Sequence, residues 1–287
     1  MDVLKKIPVL TAGFILYAAL ASAEIPEISF SQLSDRDLTV QGKTALSLNP
    51  ESWKHTETPH FVYHFTDANQ AETIYLHAEI QYEWIKEMFS VQSDPWKKKS
   101  HIFVFETEEA WKKFNTHDGE RFLEFAGFTD GRDLYMHRAP HWLSPQRTLA
   151  HEITHIILFR FLGGSVPLAF NEGFAEFMAT KAVAVQAGGN EYNIRILQLI
   201  PRDKYIPLKT LTGTKAYPED MQTFYNESEL FVRYLILNHG SQNFYAVLKA
   251  VSQGQEAEKA LKTVYGFGFS ELEEKFKTYA IKASSTA

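Results

Sequence analysis

Two observations place this 287-residue chain in the α+β class. Aromatic and β-branched runs with strand character lie only in its first half, and helical periodicity with fitting caps fills the second. The expected architecture is a small mixed sheet with helices in the N-terminal half and a helical C-terminal half. Between them lies a long apolar helix that carries chemistry-bearing side chains. Apolar residues make up 45% of the chain, enough for the core of one large domain or of two subdomains.

The first 23 residues fit a secretory leader. Lys5 and Lys6 precede an uncharged apolar stretch from Ile7 to Leu20, and Ala21-Ser22-Ala23 fits a small-x-small cleavage site that leaves Glu24 as the first mature residue. An uncleaved anchor is the other reading. The stretch is shorter than the roughly 20 residues of a comfortable span, and Pro8 interrupts it. The expected destination is the periplasm or the extracellular medium, with a mature chain that does not span a membrane. Residues 24–57 are polar and punctuated by proline, and are expected to form an extended N-terminal arm with at most a short strand.

Residues 58–162 are expected to form an α/β subdomain. His60 to Phe65 reads as a strand, Asp67 to Ser90 as a helix, His101 to Phe105 as a second strand and Thr107 to Phe114 as a short helix. Two short strands follow, at Phe125–Phe128 and Leu134–His137, around the turn dipeptide Asp130-Gly131. Ser144 can then cap a helix with Pro145 at its first position, running to Leu162 before Gly163-Gly164. Residues 163–287 are expected to be a helical subdomain. A helix follows Pro167, and others are expected near 222–238, 242–252, 257–265 and 271–283. The last opens with the capping box Ser270-x-x-Glu273.

Composition excludes several chemistries. The formal net charge is −6, which argues against a nucleic-acid partner, and Lys97-Lys98-Lys99 is read as a solvated loop. The chain has no cysteine, so a disulfide framework, a thiolate nucleophile and any cysteine-based metal site are ruled out. A metal here must use His, Asp or Glu.

His151-Glu152-Ile153-Thr154-His155 supplies such a set. Residues four apart on a helix are separated by about 40° around the axis, so both imidazoles can reach one ion. Glu152 lies beside them and is the group that can take a proton from water. Leu149, Ala150, Ile153, Ile156 and Ile157 make the surrounding helix apolar, and unpartnered histidines would be costly there. A third ligand is needed. A further histidine on the same stretch fails, because Leu158 and Phe161 stand where Gly and His would be required. Glu172, in Pro167-Leu-Ala-Phe-Asn-Glu-Gly-Phe-Ala-Glu176, is the better candidate, and a helical turn, the Gly163-Gly164 break and a second helix fit between it and His155. Glu176, four residues on, shares its face and is assigned to orienting one ligand histidine. His137 and His141 are read as loop histidines.

HEITH followed by NEGFAEF resembles the gluzincin metallopeptidases, which include thermolysin and the aminopeptidase N family, and in particular exported bacterial peptidase MA-like proteins. The resemblance implies one Zn2+ per chain on His151, His155 and Glu172, with Glu152 as general base in peptide hydrolysis. It also implies a zincin-like active-site helix, an oxyanion-stabilising tyrosine, and an edge strand at Asp133–His137 that pairs with a bound peptide backbone. The segment Phe224-Tyr225-Asn226-Glu227-Ser228 resembles the tyrosine-bearing part of the family, which nominates Tyr225, with Tyr217 as the runner-up. The aminopeptidase motif Gly-Ala-Met-Glu-Asn is absent, which points to endopeptidase action on a peptide or protein substrate. A zinc hydrolase of a non-peptide amide or ester and a catalytically silent binding or assembly protein are the alternatives.

Overall fold

The computed structural model describes residues 26–92, 97–117, 125–137, 145–186 and 205–285, and the expected leader and His141 lie outside them. Contacts divide the chain into two compact units, residues 1–87 with 96–145, and residues 88–95 with 146–287.

The first unit is built on a five-stranded mixed sheet. Its strands are β1 (Lys54–Glu57), β2 (Phe61–Phe65), β3 (Ser100–Phe105), β4 (Gly127–Thr129) and β5 (Leu134–His137), in the order β1-β2-β3-β5-β4. The β2–β3 and β3–β5 pairs are parallel, and β1–β2 and β4–β5 are antiparallel. Strands β2, β3 and β5 are buried throughout, as apolar central strands must be. This corrects the expectation for Asp133–His137: β5 is hydrogen-bonded on both sides, and the edge beside it is the three-residue β4. The sequence could not show this, because edge and interior strands of this length share one composition.

The expected extended arm over 24–57 is also corrected. It contains helix α1 (Val40–Ser47), a 3-10 turn on either side of it, and β1. The Thr39 hydroxyl caps α1 by accepting from Gly42 N at 3.1 Å. Ala45 is buried in a cluster with Phe103, Phe105, Trp111, Phe114 and Tyr135. The physical reason is the row Leu38, Ala45, Leu46, Leu48 and Trp53, which supplies enough apolar surface to fix the segment. Helices α2 (Ala68–Met88) and α3 (Glu108–Thr116) lie where the periodicity places them.

Three histidines thread the sheet interior. His55 Nδ1 is 2.8 Å from His64 Nδ1, and His64 Nε2 is 2.8 Å from His101 Nδ1. His137 is not a loop residue: it ends β5, is 8% exposed, and stacks on Trp111 at 4.9 Å.

The second unit is helical: α4 (Pro145–Leu162), α5 (Leu168–Gln186), α6 (Leu208–Gly213), α7 (Met221–His239), α8 (Ser241–Ser252), α9 (Ala257–Tyr265) and α10 (Phe269–Ser285). The unit boundary falls at the start of α4, so the HExxH helix groups with the helical part rather than with the sheet. Gly163, with φ of 66°, ends α4 in the left-handed conformation glycine tolerates, and α5 starts after Pro167. Short α6 has no counterpart in the expectations. No helix among the described residues is long and apolar enough to cross a membrane.

Candidate metal centre

Every side chain of the candidate centre comes from the second unit. On α4, Leu149, Ala150, Ile153, Ile156 and Ile157 are fully buried and fix the helix rotation, which leaves His151, Glu152 and His155 only partly buried on the remaining arc. The two imidazole centroids are 4.8 Å apart. Helix α5 presents Glu172, which is 1% exposed. Its Oε2 lies 3.4 Å from His151 Nε2 and 3.6 Å from His155 Nε2.

These three residues offer donor atoms that all lie within 4.8 Å of one another. Around a tetrahedral zinc with bonds of about 2.1 Å, donors stand about 3.4 Å apart. Glu172 Oε2 is buried without a hydrogen-bond partner, an expensive state for a carboxylate oxygen unless a cation meets it. Spacing, donor chemistry and the orphaned oxygen all fit a divalent ion.

The surroundings hold the donors in place. Tyr217, on the loop before α7, donates its hydroxyl to Glu172 Oε1 at 2.8 Å. Glu176 Oε1 lies 3.0 Å from His151 Nδ1, while its Oε2 pairs with Arg147 Nη2. Tyr225 on α7 places its ring 6.3 Å from that of His151 and 6.2 Å from that of Tyr217. Four residues further along α7, Glu229 is buried and takes the Arg233 Nε at 2.7 Å.

Helix α7 comes this close because of Gly173. A Cβ at that position would overlap the Ser228 carbonyl and lie 2.8 Å from Val232 Cγ2, so the two backbones touch beside Glu172.

Charge in the cluster is strongly coupled. Burial disfavours a cationic His151, yet Glu172 and Glu176 outweigh it and push its pKa up to about 10. Burial would raise Glu172, but His155 and His151 with the Tyr217 hydroxyl bring it down to about 2. The site therefore favours positive charge facing the Glu172 carboxylate. Burial lifts the Glu152 pKa, a shift that the two histidines oppose.

The structure brings together His151, His155, Glu172, Glu176, Tyr217 and Tyr225. Sequence reasoning missed Arg147 and the Glu229–Arg233 pair. Arg147 precedes His151 by one helical turn, so its face was readable. Glu229 and Arg233 are four apart in an apolar helix, a pattern that announces a buried ion pair only once the neighbouring helix is known.

A carboxylate and a histidine pair with donor atoms this close, in an α+β chain, fit a metallopeptidase-like protein. The chain belongs to the Peptidase MA superfamily, whose family model matches residues 126–282, more than half its length. Curated proteins show no match to it.

Proposed function

We propose that the chain is an exported zinc peptidase of the gluzincin type, with His151, His155 and Glu172 as metal ligands. The observation that carries the reading is the buried Glu172 Oε2, without a fully aligned hydrogen bond and set 3.4 and 3.6 Å from the two Nε2 atoms. A zinc ion held there supplies Lewis-acid chemistry, acidifying water and drawing charge from a carbonyl.

Glu152 takes the proton from the attacking water and returns it to the leaving amine, and a lifted pKa suits a group that must both accept and release a proton near neutral pH. Glu176 orients the His151 ring through Nδ1 and leaves Nε2 free to ligate. Tyr217 fixes the Glu172 carboxylate, and Tyr225, whose hydroxyl meets that of Tyr217, is the residue assigned to the oxyanion. Export rests on the leader pattern in residues 1–23.

Metal analysis of the purified mature protein beside its Glu172→Ala variant tests the reading. About one zinc per wild-type chain and a large loss in the variant are expected. Equal metal in both would overturn the ligand set. A peptide-library digest read by mass spectrometry tests the substrate class: cleavage supports a peptidase, and an intact library beside turnover of simple amides or esters would overturn it. N-terminal sequencing of the exported product should begin at Glu24.

A further inference from the structure

We propose that Arg147 is a positioning residue of the metal centre, acting through Glu176 on His151. The inference rests on the ligand set proposed above.

Helix α4 presents Arg147, His151 and His155 at successive four-residue steps, which puts them in a row along one face. Helix α5 presents Glu172 and Glu176 at the same step. The two rows are matched. Glu172 faces the two Nε2 atoms, and Glu176 stands between His151 Nδ1, at 3.0 Å, and the Arg147 guanidinium. Each oxygen of the Glu176 carboxylate thus has its own task.

A carboxylate held by one contact can rotate about its last torsion, which is broad. The planar guanidinium occupies Oε2 and fixes the plane, so Oε1 stays aimed at the ring nitrogen. Charge makes this tie necessary. Burial raises the pKa of Glu229, Glu176 adds to the effect, and Arg233, which Glu229 engages, and Arg147 oppose it. Arg147 is the cation that attracts Glu176 towards α4 and the histidine.

Neither imidazole Nδ1 makes a fully aligned hydrogen bond among the described residues, and Glu176 Oε1, 3.0 Å from His151 Nδ1, is the carboxylate oxygen that approaches that ring. The Arg147–Glu176 tie therefore acts on the His151 ring.

The test is a double-mutant cycle in zinc affinity, measured on metal-free protein by chelator competition. Arg147→Met and Glu176→Gln should each weaken binding about ten-fold, the size expected for a residue that orients a ligand. The double variant should bind no more than about two-fold more weakly than Glu176→Gln alone, because the proposed action of Arg147 runs through Glu176. Arg147→Lys should recover part of the loss. Wild-type affinity in Arg147→Met, or fully multiplicative losses in the double variant, would overturn the proposal. A tie that merely joins two helices would lower the melting temperature and leave affinity intact. Where Arg147→Met fails to fold, as read by circular dichroism, Arg147→Gln provides the same cycle. Wild-type protein that takes up no zinc, or a Glu172→Ala variant that binds as wild type does, would instead overturn the ligand set and this proposal with it.

Discussion

Gly173 and Ser228 meet backbone to backbone, and α5 and α7 can approach beside Glu172 only because position 173 has no side chain. Gly173→Ala must open that contact. Overpacking of this kind costs about 1–3 kcal/mol, and the rigid partner here, a helix backbone with Val232 behind it, places the cost at the upper end. Urea unfolding should show the loss. Zinc affinity should fall too, since the neighbouring carboxylate moves with its helix. An Ala variant with unchanged unfolding and affinity would contradict the close approach.

Glu152→Gln separates metal binding from turnover. Gln keeps the shape of the side chain but cannot accept a proton from water. Metal content should remain at the wild-type level, while kcat falls by about 10³-fold. Loss of metal in this variant would place Glu152 among the ligands instead.

The two tyrosines should divide. Tyr217→Phe removes the hydrogen bond to Glu172 Oε1, so zinc affinity should drop by about ten-fold. Tyr225→Phe should leave affinity unchanged and lower kcat by about 10²-fold, as expected for loss of an oxyanion donor. The reverse pattern, measured by chelator competition and steady-state kinetics, would exchange the roles.

Two buried groups should make stability depend on pH, in opposite directions. Burial holds the His64 pKa well below 6.5, and His101 and His55 add to the effect. Below about pH 6.5 the unfolded chain then binds the extra proton and the folded chain does not, so acid favours unfolding. Burial raises Glu227 to about 8, although it accepts from Ile206 N at 2.9 Å. Between an unfolded value near 4.5 and this folded value, the unfolded chain has released a proton that the folded chain retains, so rising pH costs stability until about pH 8. Glu227→Gln should raise the melting temperature by more than about 5 °C at pH 8.5 and have little effect near pH 4.5. Equal melting curves at pH 8.5 would refute the raised pKa.

The helical half was legible because its signals are local. Pro145, Gly163, Pro167, Gly240 and Gly266 punctuate it, and α9 spans the expected 257–265. The HExxH spacing and the place of Glu172 on the next helix pointed to the proposed ligand set for the same reason, since helix geometry converts sequence separation into direction. What stayed hidden depends on distant partners. That β5 is an interior strand follows from β3 pairing with it on the side away from β4, which no property of Leu134–His137 reveals. The fold of the arm depends on a core far along the chain, at Phe103 and Phe105. Arg147 needed α5 in place before its role could be read.

The hairpin α4–α5 contributes both imidazoles and both of the carboxylates that meet them, all within residues 151–176. Closing so short a stretch of chain costs little configurational entropy. An ion held by the proposed ligands would therefore act on folding as a clasp on one helical hairpin, joined before distant parts of the molecule have found each other. Refolding with and without zinc should then differ earliest in this hairpin, and protection of its amides should be the first to depend on the ion.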